Sequence, residues 1–543
     1  MTEPADLATK ASAAHRTGEG ASLYRYAGTV TFFTLLSRGL GMVRDLVISH
    51  RFGAGAATDA WTQAFRIPDA LRFLTAEGSM TIAFVPIYVE LRDREGPEAA
   101  RQFAQQALGL VLATTGLFTV LGIVFAEFIT ATASPGFASN PEKFQLTVMF
   151  TRWMFPYFIL VSVVAWAMGI LNADKRFAAA AASPMLFNLG IIVAVLTLAD
   201  RLEVPAFAIA IGVLAGGVGQ VLLQIPDLRA TGMRLWPSFH WRTPAMRRLF
   251  RMMGPGLLGV AVYQVNIIIF AILASFLPTG QIFHLNNASR LSEFVMGLFA
   301  FAFAAAGLPA LSEHHARGDW EALTRTVRFT LAAVLFTTLP ATAGLVAASD
   351  PIVAMLFRHG AFTVADVVST AHTLKLLAVG MPAIAAVRTL IPIFYAMGNA
   401  KTPWTIGVAT LVVSTTLGWF LIGPLEIGGL ALALSLGAWF QVVMLAWALR
   451  RKAPLLGAWF PLRSLLQQVA ACIVMGLAVG AVAGFGEWSL GPTHLGNWLV
   501  FVPLLATGVL LYAGLTLMQR EEQSLHWVGL ATRALSKARR MLG

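Results

Sequence analysis

Apolar runs of about twenty residues recur along nearly the whole chain, and they constrain the fold more than any other feature. A helix needs ~20 such residues to cross ~30 Å of hydrocarbon, and about fourteen segments meet that length. Only 12% of the 543 residues are charged and the mean hydropathy is +0.71, whereas soluble proteins carry roughly a quarter charged residues. The sequence therefore predicts an all-α polytopic membrane protein.

The predicted spans differ in length, and several exceed the minimum, which indicates tilted or broken helices. Span 2 contains two sites where a helix can kink, Pro68 and Gly78. In chain order the spans are 24–47, 57–92, 104–131, 146–171, 179–199, 205–226, 246–277, 283–312, 325–348, 367–397, 403–423, 427–450, 463–484 and 494–518.

Basic residues are distributed unevenly between the loops. They concentrate after the even-numbered spans, most densely between Arg229 and Arg248. Because cytoplasmic loops carry the excess of Lys and Arg, both termini are expected in the cytoplasm. The net charge of +12 would suggest nucleic acid for a soluble domain, but here it fits orientation in the membrane, and no nucleic-acid partner is expected.

A faint internal repeat divides the chain. Val85-Pro86-Ile87 with Glu90 ends span 2, and Leu308-Pro309-Ala310 with Glu313 ends span 8. A second match, Ala167-Met168-Gly169 against Ala396-Met397-Gly398, gives a repeat of about 223 to 229 residues. The predicted organisation is a disordered cytoplasmic tail (1–22), an N-lobe of spans 1–6 (23–227), a C-lobe of spans 7–12 (228–452), spans 13–14 (453–518) and a basic amphipathic cytoplasmic tail (519–543).

Charged side chains inside the spans give the strongest functional signal. Each costs at least ~2.5–3.5 kcal/mol at the bilayer centre, so such residues normally face a cavity or a partner. Arg38, near the middle of span 1, is too deep to reach the interface easily. The others in spans 1, 2, 8 and 10 are Arg44, Asp45, Asp59, Arg66, Asp69, Arg72, Glu77, Arg290, Glu293, Lys375 and Arg388.

Two readings of these charges stay open on the residues alone. Of the charges just named, spans 1 and 2 contribute four arginines and four carboxylates, so these residues could form structural ion pairs, for example Asp69 with Arg72 at i,i+3. Alternatively the arginines line a polar cavity and bind an anion, since the guanidinium fork suits phosphate.

Short motifs around these charges are more specific. They begin in span 1 and continue through span 2, and further matches follow as far as the loop before span 11. In order they are Ser37-Arg38-Gly39-Leu40-Gly41-Met42-Val43-Arg44-Asp45, Phe52-Gly53-Ala54-Gly55, Thr58-Asp59-Ala60, Phe65-Arg66-Ile67-Pro68, Leu71-Arg72, Ala76-Glu77-Gly78, Ala133-Ser134-Pro135-Gly136-Phe137, Phe155-Pro156-Tyr157, Gly360 with Phe362-Thr363, and Lys401-Thr402-Pro403.

This set of motifs resembles the MurJ/MviN lipid II flippase family, over roughly residues 24–518. The family belongs to the MOP exporter superfamily, and the resemblance implies two pseudo-symmetric six-helix lobes plus two extra helices that form a groove for a lipid tail. It implies a transporter that flips undecaprenyl-pyrophosphate-linked peptidoglycan precursor, lipid II, from the cytoplasmic to the periplasmic leaflet by alternating access. It also implies the site residues: Arg38, Arg44, Asp59, Arg72, Arg290 and Arg388 for substrate binding, with supporting charge from Asp45, Arg66, Glu77 and Glu293.

One position departs from the family pattern. The family commonly has an aspartate directly before the arginine of span 8, and this chain has Ser289. This chain therefore lacks, at that position, the acid that could pair with the arginine or couple an ion. A sodium site lacks an acidic candidate in span 7.

Other functions are less well supported by the residues. A different MOP-type exporter, for polysaccharide-linked lipids or drugs, is the alternative on the same fold. A membrane enzyme is disfavoured because the predicted periplasmic loops are short and carry no catalytic set, and no nucleotide-binding loop is present. No cofactor or metal is expected, the lone Cys472 is read as a buried thiol, and Gly212-x-x-x-Gly216 predicts helix packing. The expected partners are lipid II and the membrane around a monomer, with cell-wall synthesis proteins left open.

Overall fold

A computed structural model of the chain describes residues 4–73, 83–453, 455–456, 459–529 and 532, without the side chains of 4–27, 254–263, 298–310 and 312. Every regular element in these ranges is helical, which confirms the all-α prediction. Three short 3-10 helices, Pro135–Ser139, Ala199–Arg201 and Trp488–Thr493, accompany the α-helices.

The α-helices are numbered in chain order. They are α1 (Pro4–Phe52), α2 (Ala56–Arg72), α3 (Val85–Arg94), α4 (Pro97–Val124), α5 (Ala126–Ala133), α6 (Pro141–Met154), α7 (Pro156–Ala173), α8 (Phe177–Leu198), α9 (Phe207–Ala230), α10 (Pro244–Ser275), α11 (Gln281–Ala316), α12 (Trp320–Ala347), α13 (Ser349–Phe357), α14 (Val364–Ala378), α15 (Met381–Ala396), α16 (Lys401–Lys452), α17 (Leu462–Ala483) and α18 (Leu495–Met518).

Within the described ranges, nine helical segments are long and apolar enough to cross a membrane. They coincide with ten of the predicted spans, because α16 covers spans 11 and 12. The helix α16 is interrupted at Glu426, whose φ of 48° and ψ of −129° are non-helical, within the loop predicted at 424–426. Span 1 corresponds to α1, span 2 to α2 and α3, span 7 to α10 and span 8 to α11. These helices do not meet the same criterion within the described residues. The total of fourteen therefore stays a prediction.

The chain forms two compact units. Unit 1 comprises Met1–Ile48 and Ala60–Gln264, and unit 2 comprises Ser49–Asp59 and Val265–Gly543. The core of unit 1 joins α3, α4 and α7 around Phe84, Phe103 and Trp166, all at most 2% exposed. The lobe boundary predicted at 227/228 concerns the sequence repeat, and it stays a prediction.

Two larger apolar clusters lie in the described part of unit 2. One joins α12, α15 and α16, with Phe394 fully buried at its centre. The other packs α17 and α18 against α12 and α13, and the Tyr512 hydroxyl donates to the Phe336 carbonyl at 2.9 Å. The thiol of Cys472 is buried in this second cluster, as the sequence predicted.

The internal repeat is visible in the helix boundaries. The helices α4 (Pro97–Val124) and α12 (Trp320–Ala347) both have 28 residues, and both of their ends are 223 residues apart. The two acids that suggested the repeat make the same contact, since Glu90 pairs with Arg94 and Glu313 with Arg317, each at i,i+4. Equal helix lengths at a constant offset support duplicated architecture.

The ends of α7 and α15 fix the repeat length. The amide of Lys175 bonds the Asn172 carbonyl and that of Arg176 bonds the Leu171 carbonyl, while Gly398 and Asn399 make the same two bonds to Tyr395 and Phe394. Lys175 (φ 58°) and Gly398 (φ 69°) both occupy the left-handed region that closes a helix C-terminus. These partners are 223 residues apart, so the Met168–Met397 alignment that gave 229 is wrong.

Small residues bring α8 and α9 into close contact. A Cβ atom at Gly212 would lie 2.5 Å from Cα of Ile191, and one at Gly216 would lie 2.8 Å from Cα of Phe187. Glycine is required at these positions because the two backbones touch there. The structure therefore confirms that the Gly212-x-x-x-Gly216 motif is a packing surface, and the contact fixes the backbone of α8 near Phe187.

The two predicted tails are placed only in part. Residues 1–22 were expected to be disordered, which stays a prediction, and α1 begins at Pro4. The segment contains many alanines, which have the highest helix propensity and extend the first helix toward the N-terminus. At the other end, residues 522–529 are helical with Leu525 and Val528 exposed, while residues 530–531 and 533–543 of the predicted amphipathic tail lie outside the described residues.

Candidate anion-binding residues

Arg44 is buried in unit 1 and is held by two side chains. Its Nε donates to Oδ1 of Asp45 at 2.9 Å, and its Nη2 lies 2.7 Å from the same oxygen. Its Nη1 donates to Oδ1 of Asn188 on α8 at 3.0 Å. Arg44 is 7% exposed and Asp45 is 1% exposed, so this ion pair is built into the packed interior. Of the two readings that the sequence left open, the structural ion pair describes the sequence neighbours Arg44 and Asp45.

Arg72, at the end of α2, has a different setting. It pairs with Asp69 at 2.9 Å, and the two side chains are 25% and 35% exposed. Its guanidinium also lies 4.2 Å from the ring centroid of Phe73, a cation–π distance. The predicted i,i+3 ion pair is therefore present, and the guanidinium still reaches the surface.

Three other residues of unit 1 were predicted for the site, namely Arg38, Arg66 and Glu77. Arg38 on α1 and Arg66 on α2 are both partly exposed. Glu77 lies outside the described residues. Of the charged residues singled out in spans 1 and 2, the described part of unit 1 contains Arg38, Arg44, Arg66 and Arg72 together with Asp45 and Asp69.

Asp59 belongs to unit 2 and caps a helix. Its Oδ2 accepts from the Gly280 amide at 2.7 Å and its Oδ1 accepts from the Phe283 amide at 3.0 Å. Both amides lie at the N-terminus of α11, where unsatisfied N–H groups and the helix dipole favour a negative charge. Asp59 is fully buried. Its carboxylate therefore has a structural role, and its predicted contact with substrate stays a prediction.

The remaining predicted residues of unit 2 are exposed. Arg290 lies on α11 with its side chain 46% exposed, and its Nη1 is 3.4 Å from Glu293, which is 65% exposed. Arg388 on α15 is also exposed. Ser289, which replaces the family aspartate, is partly buried beside Arg290. The side chains of Arg290 and Arg388 are thus both exposed.

Sequence reasoning missed several polar contacts. Asn188 lies in a strongly apolar helix, and this isolated amide at membrane depth was a signal that could have revealed it. Two acids near the ends of α13 and α14 also have partners. Asp350 pairs with Lys375 at 2.6 Å, and Asp366 forms a capping box with Thr363.

A histidine pair joins the end of α1 to the loop after α13 within unit 2. Nδ1 of His50 and Nδ1 of His359 are 3.1 Å apart, and Nε2 of His359 lies 2.8 Å from the Leu356 carbonyl. Since a carbonyl only accepts, Nε2 of His359 carries hydrogen. Burial lowers the pKa of His359, the Leu356 carbonyl opposes this shift, and the nearby His50 adds to it.

A resident metal finds no support in the described part of the chain. No group of three or more His, Cys, Asp or Glu side chains converges there. The charged chemistry of both units is instead that of arginine with acidic or amide partners, which suits an anionic ligand.

The family assignment follows from comparison with known proteins. The family model described as lipid II flippase MurJ matches residues 48–496, which is most of the chain. The chain belongs to the MurJ family. A MurJ relative from Burkholderia cenocepacia, named lipid II flippase MurJ, is 34% identical and covers 86% of this chain and 90% of its own length. A probable lipid II flippase MurJ from Bdellovibrio bacteriovorus is 32% identical over 90% of this chain and 93% of its own.

Solved structures agree with the MurJ fold. A lipid II flippase MurJ in an inward closed conformation matches with a TM-score of 0.76 at 23% identity, covering 90% of this chain and 98% of that one. An inward-facing multidrug resistance MATE transporter of the MOP superfamily matches with a TM-score of 0.65 at 15% identity, covering 78% and 95%. These likenesses establish the MOP-type fold, as the sequence motifs indicated.

Proposed function

We propose that this chain moves lipid II, the undecaprenyl-pyrophosphate-linked peptidoglycan precursor, from the cytoplasmic to the periplasmic leaflet of the inner membrane. The MurJ relatives carry the name of this activity. The observation that carries the proposal is the accessibility of cationic guanidinium groups on helices of both units, namely Arg38 and Arg72 in unit 1 and Arg290 and Arg388 in unit 2.

The arginines are proposed to hold the pyrophosphate. A guanidinium group presents paired N–H donors that match two phosphate oxygens, and it keeps its charge in a low-dielectric site. Four of the proposed ligands, Arg38, Arg72, Arg290 and Arg388, are partly or fully exposed. Arg44, which is largely buried, would contribute only the N–H groups that Asp45 and Asn188 do not use.

Alternating access is the proposed transport cycle. The polar headgroup would enter a water-filled site open to one side of the membrane at a time, while the polyprenyl tail stays in lipid. The exposed apolar faces of α17 and α18, with Leu477 at 71%, Leu499 at 70% and Val509 at 70%, are the proposed track for that tail. A charged headgroup could not cross hydrocarbon unaided at an acceptable free-energy cost, which is why a polar path is needed.

Binding and transport experiments test the proposal together. Purified protein should bind fluorescent lipid II in preference to a cationic dye, and it should accelerate lipid II translocation in proteoliposomes. For alanine variants of the proposed arginine ligands, Arg325→Ala serves as a matched control. Arg325 is exposed on α12, and its ion pair is with Glu321 at i,i+4. Preference for the cationic dye would favour the drug-exporter alternative, and preference for a polysaccharide-linked polyprenyl pyrophosphate would favour the polysaccharide flippase.

A further inference from the structure

We infer that Asn188 is a positioning residue for ligand binding: it holds the guanidinium of Arg44 at a fixed place and angle against α1. The inference rests on the proposed function and extends it to an uncharged residue. Asn188 is 6% exposed and lies in the middle of α8, a helix of mean apolar character with Pro184 one turn before it. A buried amide in such a helix needs polar partners, and it has two.

The two amide atoms of Asn188 have separate partners on α1. Oδ1 accepts from Nη1 of Arg44 at 3.0 Å, and Nδ2 donates to the Ser37 carbonyl at 3.1 Å. A guanidinium can only donate and a carbonyl can only accept, so the orientation of the amide follows from its neighbours. The amide also lies close to Gly41 of α1, since a Cβ atom there would be in ordinary van der Waals contact with Nδ2 of Asn188 at 3.7 Å. One side chain thus fixes both the backbone of α1 and the arginine it carries.

The support behind Asn188 is rigid. The neighbouring Phe187 has its Cα against Gly216 of α9, so the backbone of α8 cannot move closer to α9. The Phe187 ring packs on Tyr157 and Phe65 at centroid distances of 5.1 and 5.7 Å. The same ring lies 5.9 Å from Cζ of Arg44. Asn188 therefore holds the guanidinium of Arg44 at a fixed position relative to the packed pair of α8 and α9.

The neutral charge of Asn188 matters as much as its place. Asp45 already neutralises one side of Arg44, and its Oδ1 contacts Nε and Nη2. A second carboxylate at Asn188 would compete with an anionic ligand, whereas an amide oxygen orients the fork without adding negative charge. Each Nη atom carries two N–H groups. One on each Nη atom remains to bind a phosphate oxygen.

A double-mutant cycle tests this role. Lipid II affinity is measured for the wild type, Asn188→Leu, Arg44→Gln and the double variant in the full-length purified protein. Leucine has nearly the same volume but no polar atom, so Asn188→Leu should weaken lipid II binding about tenfold, the value of one hydrogen bond to a charged group. In the Arg44→Gln background the same substitution should cause no further loss. Asn188→Asp should weaken binding at least as much as leucine.

The controls separate positioning from general destabilisation. Gln220→Leu removes another buried amide, on α9, whose Oε1 accepts from the Tyr157 hydroxyl at 3.5 Å and has no arginine partner among the described residues. It should lower the melting temperature without changing lipid II affinity. Binding of the neutral lipid undecaprenol should be unchanged in Asn188→Leu, because that lipid has no phosphate for Arg44. Equal weakening for both lipids, or additive losses in the cycle, would overturn the inference.

A second measurement requires no ligand. Phenylglyoxal modifies accessible guanidinium groups, and mass spectrometry can assign the modified residue. Arg44 should react several-fold faster in Asn188→Leu than in the wild type or Gln220→Leu, because the side chain loses its anchor. Unchanged reactivity would overturn the positioning role. Absence of lipid II binding by the wild type would instead reject the proposed function, a result distinct from failure of the cycle.

Discussion

The carboxylate of Asp59 accepts a hydrogen bond from the backbone amide of Phe283 at 3.0 Å, at the first turn of α11. Its other oxygen binds the Gly280 amide, and Gly280 has the left-handed φ of 94°. A fully buried acid therefore closes the N-terminus of a 36-residue helix. This contact changes the expected effect of substituting Asp59. The substitution should lower the stability of the protein, whatever its effect on substrate binding.

Asp59→Ala should destabilise the protein. Removal of the carboxylate leaves two buried amides at a helix N-terminus without their acceptor, and the expected loss in the free energy of unfolding is about 1–3 kcal/mol. The measurement is thermal unfolding of the purified protein. Asp69→Ala is the matched control, since Asp69 pairs with Arg72 on a partly exposed surface and such pairs contribute about 0–1 kcal/mol. Equal effects of the two substitutions would contradict the capping role.

The arginines should separate into two classes when replaced by alanine. Arg290→Ala should abolish or cripple replacement of an essential flippase in depleted cells while protein levels stay near normal, because its side chain is exposed. Arg44→Ala should also lower protein levels, because it leaves the buried carboxylate of Asp45 without its cation, at a cost of about 3–5 kcal/mol. Complementation and immunoblotting measure both effects. Full function in a variant lacking both Arg38 and Arg290 would reject the pyrophosphate role.

The charge asymmetry predicts the side of the membrane on which each loop lies. Starting from Cys472→Ser, which removes the single cysteine, cysteines are placed at two exposed loop positions, His240 and Glu203. Because arginine-rich loops stay cytoplasmic, His240→Cys should resist a membrane-impermeant maleimide in intact cells and Glu203→Cys should react. Lysed cells supply the control in which both react. Labelling of His240→Cys from outside would overturn the predicted orientation.

The histidine pair predicts a pH dependence of stability. The pKa of His359 is lowered in the folded protein, chiefly by burial, so the unfolded chain binds the proton more readily. The free energy of unfolding should therefore fall as the pH drops from about 7.5 to about 5, with a limiting slope of about 1.4 kcal/mol per pH unit for one proton. Melting temperatures across this range measure the effect.

His359→Gln should reduce this pH dependence, because glutamine can hydrogen-bond but does not titrate in this range. His526→Gln is a suitable control, since His526 packs edge-to-face on Phe329 far along the chain from the pair. An unchanged slope in His359→Gln would show that other groups cause the acid sensitivity.

The sequence determined the class of the protein and most of its helices. Apolar length alone located ten spans that the structure confirms as long apolar helices, because a membrane helix must satisfy its backbone hydrogen bonds within its own segment. The motifs around Arg38, Arg44 and Asp59 indicated the family, since local patterns of this kind require no knowledge of tertiary contacts. The repeat was also visible, although two alignments were possible until the matching helix ends fixed it at 223 residues.

Only the tertiary structure decided which partner each charge has. Counting four arginines and four carboxylates in spans 1 and 2 could not show that Asp59 belongs to the cap of α11, 221 residues away from Gly280, or that Arg44 is bound by Asn188, 144 residues away. Contacts at such separations depend on how helices pack, and packing is set by the shapes of all the neighbouring side chains together. Sequence spacing identifies partners within about one helical turn, whereas the contacts that distinguish a cap, an ion pair and an accessible cation are long-range.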